Sequence, residues 1–428
     1  MARERWASRL GVVAAVAGSA IGLGNFLRFP GQAVEHGGGA FMIPYFVAFF
    51  LLGLPLIWIE WSIGRFGGGF GHSTAPGMFH SMCDKNRFIK YFGVIGIFGP
   101  TIIFIYYTYI ESWLLGYSIM ALVGKYNDCT TPDSMKQFLL SYVGVAPDGH
   151  FRNMVAVYVF FLVTFGANFI ILYWGIQKGI ERVCKLALPM LVVMGVLLMV
   201  HVFSLGASDP AQPENTPLNG LGYLWNPRWS ELADARVWLA AAGQIFYTLS
   251  VGMGIILTYA SYLRRNNDVA LSGLTAASAN EVAEVILGGS IVIPAAFAIF
   301  GAETTRAMAH GGTFNLGFYA MPAALLQMPW SELSGFLWFG LLFLAGITSS
   351  TSLAQPAIAF LEDEFDLSKK QAVALLAAVT FVAAQPVIFF FGNGVLDEMD
   401  FWAVNVCLVG CALVEVILFG WVFGMDRA

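Results

Sequence analysis

Two glycine-rich stretches and a run of hydroxyls are the parts of this chain whose residue types could do chemistry. Residues 17–25 read Ala-Gly-Ser-Ala-Ile-Gly-Leu-Gly-Asn, and residues 244–254 run from Gln244 through Tyr247, Thr248 and Ser250 to Gly252-Met253-Gly254. Gly18, Gly22 and Gly24 each disfavour helix by roughly 1 kcal/mol against alanine. Either they let another helix approach closely, or the helix breaks and leaves N–H and C=O groups free to bind an ion or a small molecule's charged end. Thr348-Ser349-Ser350-Thr351-Ser352 places five hydroxyls in succession. Such hydroxyls can bond back to the carbonyl one turn earlier and serve packing alone. With carbonyls, they are also the oxygen ligands that a dehydrated hard cation such as Na+ needs. Asn280 and Glu284, at i and i+4, put an amide and a carboxylate on one helix face. Five cysteines give no framework: Cys407 and Cys411 share a face and read as small apolar packers. No CxxC or His/Cys spacing argues for a metal centre, and no nucleophile and base set for an enzyme.

The elements that position these groups are transmembrane helices. The chain is 58% hydrophobic and 11% charged, with a mean hydropathy of +0.71, which excludes a water-soluble globule. Apolar stretches long enough to cross hydrocarbon are predicted at 10–29, 41–63, 92–122, 154–175, 186–205, 237–263, 269–299, 333–361, 372–391 and 401–424. Most of the 22 Lys and Arg residues then fall in loops on the N-terminal side, among them Arg9, Arg65, Lys90, Lys178 and Arg182. Both termini are therefore expected in the cytoplasm and the span count is even, in a multi-pass protein of the plasma (inner) membrane. The net charge of −5 and the lack of a basic run give no hint of nucleic acid. The polar start and long first span do not fit a cleaved signal peptide.

The first and sixth of ten spans occupy corresponding places in two five-span halves, about 9–205 and 237–424, within a single domain of residues 1–428. Five is odd, so the halves have opposite topology, and paired glycine-interrupted spans point to a transporter's binding site. Arg28, near the outer end of span one, and Asp400, at the start of span ten, could meet across the mouth. Glu60, between Trp58 and Trp61, either snorkels to a headgroup or has a buried partner. By default Trp113 and one or two of Tyr106, Tyr107 and Tyr109 form an interfacial belt, while at least one phenol must face protein or water. The proline-bearing stretch 208–236 is expected to cap the mouth.

The runs GSAIGLGNFLRFP (18–30), GGGAFMIPY (37–45), YYTYIESW (106–113), GQIFYTLSVGMG (243–254), SGLTAASANEVAEVILGGS (272–290), AGITSSTSLAQP (345–356) and LDEMDFWA (396–403) resemble the neurotransmitter:sodium symporters, most closely the bacterial leucine transporter branch. The resemblance runs nearly colinearly from Trp6 to Asp426. It implies an all-α polytopic fold with a leucine-transporter-like 5+5 inverted repeat and unwound helices 1 and 6. It also implies a Na+-coupled importer of small neutral or hydrophobic L-amino acids, with two Na+ sites and no organic cofactor.

By that resemblance the first Na+ would be held by Ala20, Asn25, Thr248, Asn280 and the substrate carboxylate, and the second by Gly18, Ile21, Ala345, Thr348 and Ser349. The carboxylate would meet the N–H groups of Leu23 and Gly24 and the Tyr107 hydroxyl. The ammonium would face Ala20, Tyr247, Thr248 and Ser250. Ser19, Gly22, Ile103, Met253, Ser349 and Leu353 would complete the pocket. Arg28 with Asp400 resembles an outer gate, and Arg3 with Asp363, near Tyr262, an inner one. Glu284 stands where chloride-dependent relatives have a neutral residue, which implies no chloride requirement. Ser350 is expected to matter less than Thr348 for Na+-dependent substrate binding if it faces away from the site.

The match has departures. Ser19 stands where the leucine transporter branch has Asn, Met253 where it has Phe, and Tyr247 where it has a gating Phe. A Met wall is adaptable and suits larger or aromatic side chains. The chain ends after ten expected spans where relatives usually have eleven or twelve; a homodimer stays open, without any contact that later spans would make. A channel would need a continuous polar path, and only the spans named above are polar.

Overall fold

A peptide group in hydrocarbon has no water to bond to, so an apolar chain of this length must close its hydrogen bonds within helices. The computed structural model describes residues 6–83, 88–146, 150–206, 212–264, 266–312 and 314–424; among these the only strand-like pairing is one bridge between Gly38 and Pro227. α1 (Arg9–Ala20) and α2 (Gly24–Glu35) make one span bent by 44°. α3 (Gly39–Gly69) and α4 (Ile89–Leu122) follow, then the short loop helix α5 (Pro132–Tyr142). α6 (Val155–Gly175) and α7 (Glu181–Phe203) read as one long helical run, but Gly175 at φ 74°, ψ −163° breaks it into two spans. α8 (Pro217–Trp225) precedes a second broken span, α9 (Ala235–Thr248) with α10 (Ile255–Ser261). α11 (Val269–Ala309), α12 (Asn315–Leu326), α13 (Ser331–Phe365), α14 (Lys369–Phe389) and α15 (Val395–Phe423) complete the chain. With each broken pair taken as one crossing and α12 left out as too short, the described residues make ten spans, as the apolar pattern predicts.

α13 packs along α4 through the middle of the molecule. Trp113 is not an interfacial residue: it is fully buried, with its ring edge-on to Tyr109 of α4 at 5.0 Å, to Phe391 just beyond α14 at 5.3 Å and to Phe318 of α12 at 6.1 Å. Tyr106, Tyr107 and Tyr109 are likewise buried. Glu60 has the buried partner rather than the headgroup, accepting the Gly252 N–H at 2.5 Å. None of the described residues of the 208–236 stretch is among the walls of the two cavities described below. Its helix α8 lies against α11, where Gly220 faces Pro294 and Phe297, and its chain meets the α2–α3 corner at Gly38.

The break between α9 and α10 rests on a close crossing. Gly254 has φ +66°, and a Cβ there would lie 2.1 Å from the Gly96 carbonyl oxygen of α4. Gly254→Ala is therefore expected to cost more than the roughly 1–2 kcal/mol of left-handed backbone alone, read as a lowered Tm. Gly243→Ala, where a Cβ meets nothing within 4 Å, is expected to leave Tm unchanged or slightly raised. An unchanged Tm for Gly254→Ala would rule the crossing out.

Candidate binding site between the two broken helices

α1 stops where Ile21 turns to φ −74°, ψ 89°, and the chain resumes helical hydrogen bonding at Gly24. The peptide groups released are met by side chains, one from the adjoining turn and the others from distant elements. Gly22 N–H donates to Asn25 Oδ1 at 2.8 Å, and Leu23 N–H to the Tyr107 hydroxyl at 3.1 Å. The Ser19 carbonyl accepts from Ser349 Oγ at 2.9 Å and from Ser250 Oγ at 3.4 Å. Ser250 itself sits at φ 54°, a conformation costly for a residue with a side chain and found mostly where surroundings enforce it. Gly24 is required by contact: a Cβ there would lie 2.6 Å from the Tyr247 ring.

Beside the break lies a buried oxygen-rich cluster. Asn25 Nδ2 donates to Asn280 Oδ1 at 2.8 Å and lies 3.4 Å from both Thr248 Oγ1 and Glu284 Oε2. Asn280 Nδ2 donates to Thr248 Oγ1 at 3.0 Å, while the Thr248 hydroxyl and the Gln244 amide both donate to the Glu284 carboxylate. All five side chains are buried. α11 widens into π-type turns over Val282–Gly289, yet Asn280 and Glu284 still share a face, 3.5 Å apart. Amide and hydroxyl oxygens from three spans, with one carboxylate behind them, form a donor set for a hard cation.

The hydroxyl run on α13 divides its work. Thr348 Oγ1 bonds back to the Leu344 and Ala345 carbonyls at 3.1 Å, whereas Ser349 crosses to span one. Gly18 lies against Thr348, so close that a Cβ would sit 3.3 Å from the threonine Cβ; Ile21 and Ala345 are buried. Ser350 faces the other way, donating to Asn168 Oδ1 at 2.6 Å while Asn168 Nδ2 donates to Glu111 at 3.0 Å. Ser350 thus faces away from span one, the condition under which it is expected to matter less than Thr348 for binding, and belongs to a separate buried network.

A narrow cavity of about 30 Å3 lies between the breaks. Its walls are Ser19, Ala20, Gly22, Leu23, Gly24, Ile103, Tyr107, Tyr247, Thr248, Ser250, Met253, Ser349 and Leu353, the full set expected around a substrate, together with Asn25. Above it opens a cavity of about 540 Å3 that shares Leu23, Gly24, Tyr107 and Tyr247 with the first, and that also meets Arg28, Gln32, Lys136 of α5, Asn315 and Tyr319 of α12, and Asp400. Arg28 and Asp400 face this cavity but do not pair. The Arg28 guanidinium lies 4.7 Å over the Tyr247 ring, and Asp400 accepts the Tyr106 hydroxyl at 2.6 Å. On the far side, Asp363 accepts the Ser73 N–H at 2.7 Å and the Tyr262 hydroxyl accepts from Gln355 at 3.4 Å. Arg3 lies outside the described residues.

Gln244, Asn168 and Glu111 were not foreseen as site or network residues. Gln244 stands one turn before Thr248 on the same face, and Asn168 is a lone amide in the apolar α6; both are signals a sequence carries.

A family model described as the sodium:neurotransmitter symporter family matches residues 3–139 and 133–428. An uncharacterized sodium-dependent transporter of Methanocaldococcus jannaschii is 33% identical over 440 residues, covering all of this chain and 83% of the relative. The sodium-dependent serotonin transporter of Drosophila melanogaster is 26% identical over 462 residues, covering 99% of this chain and 70% of the relative. The crystal structure of MhsT in complex with L-phenylalanine superposes with a TM-score of 0.82 at 30% identity, over 98% of this chain and 90% of that one.

Asn25→Ala removes at once the acceptor for Gly22 N–H and the donor to Asn280. A loss of about 1–3 kcal/mol in stability is expected from the groups left unpaired, read as a lowered Tm. No change in Tm would mean that these bonds do not hold the break.

Proposed function

The chain belongs to the sodium:neurotransmitter symporter family, and from that premise we propose that it imports small neutral, hydrophobic L-amino acids together with Na+ by alternating access. The observation that carries this reading is the narrow cavity walled by both helix breaks, with the oxygen cluster of Asn25, Thr248, Asn280 and Glu284 beside it. Its walls carry the groups a zwitterion needs, and the cavity, about 30 Å3 as it stands, must widen to admit one. The zwitterion's carboxylate would lie at the start of α2, where unpaired N–H groups and the helix dipole favour negative charge. The Tyr107 hydroxyl accepts from Leu23 and can still donate to that carboxylate.

Two Na+ ions are proposed. The first would use Asn25, Thr248, Asn280 and the Ala20 carbonyl with the substrate carboxylate as a further ligand, so that each charge offsets the other's desolvation and binding is mutual. The second would use Thr348 and Ser349 with the carbonyls of Gly18, Ile21 and Ala345. The Glu284 carboxylate, held by Gln244 and Thr248, supplies the fixed negative charge that makes chloride unnecessary. Met253 gives the pocket a deformable wall, and the likeness to a protein captured with L-phenylalanine favours large apolar side chains. On closing, Arg28 would leave the Tyr247 ring for Asp400. The excess of Lys and Arg on one side supports a plasma-membrane protein with both termini in the cytoplasm. The two five-span halves, about 9–205 and 237–424, would rock against each other within one domain.

In proteoliposomes, an inward Na+ gradient is expected to drive uptake of L-phenylalanine or L-leucine, and replacing chloride with gluconate is expected to leave it intact. Equal uptake in K+ would overturn the coupling, and a requirement for chloride would overturn the role of Glu284. Thr348→Ala is expected to raise the half-saturating Na+ concentration by about tenfold, roughly 1.4 kcal/mol of ion binding; an unchanged value would remove Thr348 from the second site.

A further inference from the structure

The loop carrying α5 holds three ligand-type groups for which transport has no use. Asp128 and Cys129 lie just beyond the end of α4, and His150 just before α6, 22 residues away from Asp128. His150 Nε2 is 3.1 Å from Asp128 Oδ2 and 3.2 Å from Oδ1, Cys129 Sγ is 3.6 Å from Asp128 Oδ1, and the three ligand atoms all fall within 4.8 Å of one another. With Zn–S near 2.3 Å and Zn–N and Zn–O near 2.0–2.1 Å, tetrahedral geometry separates neighbouring ligand atoms by roughly 3.3–3.6 Å. The observed spacing needs little adjustment to enclose such an ion.

The surroundings hold the ligands in place. Cys129 is buried, with its N–H on the Tyr126 carbonyl at 2.9 Å. The His150 ring meets the edge of Phe138 at 5.1 Å, and the neighbouring Asn127 and Thr130 are tied to Glu332 and Gln327 at 2.9 and 3.2 Å. The Asp128 side chain is 71% exposed, which leaves room for a water as the fourth ligand.

We propose that Asp128, Cys129 and His150 form a three-ligand site for Zn2+, bound by thiolate, imidazole and carboxylate with water completing the tetrahedron. Binding releases the thiol proton to solvent. The ion joins the two ends of the loop and so fixes α5, whose Lys136 forms part of the wall of the wide cavity. The site is independent of the transport chemistry, and its test uses no transport readout.

Full-length protein, purified in detergent and stripped with a chelator, is titrated with Zn2+ against a chromophoric competitor. One ion per chain is expected, with affinity at least about tenfold weaker in Cys129→Ser and in His150→Gln, and unchanged in Cys407→Ser. Co2+ in place of Zn2+ is expected to give a thiolate-to-metal charge-transfer band that Cys129→Ser abolishes. Asp128→Asn, at an exposed side chain, serves if the buried cysteine variant does not fold, and is expected to weaken binding likewise. Absence of stoichiometric Zn2+ binding by the unaltered protein, or variants that bind as tightly as it does, would overturn the site.

Discussion

A peptide N–H or C=O without a helical partner is costly in the middle of a bilayer, and this fold carries several such groups where α1 gives way to α2 and α9 to α10. Most of the other polar architecture follows from them. Tyr107, Asn25, Ser349 and Ser250 reach across from α4, α2, α13 and the second break to meet groups of the first. Glu60 of α3 does the same for Gly252 in the second. A side chain that satisfies a backbone group at the wall of a cavity can exchange it for a ligand, so the same interactions that make the breaks tolerable make them selective.

Much of this was legible in the sequence because it depended on local composition. Spans of the needed length, glycines where helix should be continuous, and hydroxyls in an apolar run are properties of short windows, and all fell into the ten-span arrangement. The long run from Val155 to Phe203 was separable into two spans for the same reason: the Lys and Arg residues near its middle mark a loop. What the sequence could not show was which face of a helix meets which neighbour. Trp113 has the composition of an interfacial anchor, yet Phe318 of α12 and Phe391 beyond α14 close around it and put it in the core. Ser350 looks like its neighbours in the hydroxyl run, but a helix advances about 100° per residue, and one step turns it from span one to Asn168.

The loop cluster shows the same limit in another form. Cys129 and His150 have no motif spacing, because a helix and its turns lie between them; only folding of α5 brings the imidazole back to the carboxylate. The Glu111, Asn168 and Ser350 network likewise joins α4, α6 and α13 at the back of the hydroxyl run. It ties three helices together on the side away from the cavity, where a rigid support keeps Ser349 aimed at Ser19.

The two cavities share Leu23, Gly24, Tyr107 and Tyr247. Of these, Tyr247 is covered by the Arg28 guanidinium and packs against the bare Cα of Gly24. A phenol held under a cation in the wall common to both chambers turns on a much shorter timescale than any helix can tilt. On the import proposed above, admission to the inner chamber would be a latch of a few atoms, separable from the movement of whole segments that empties it.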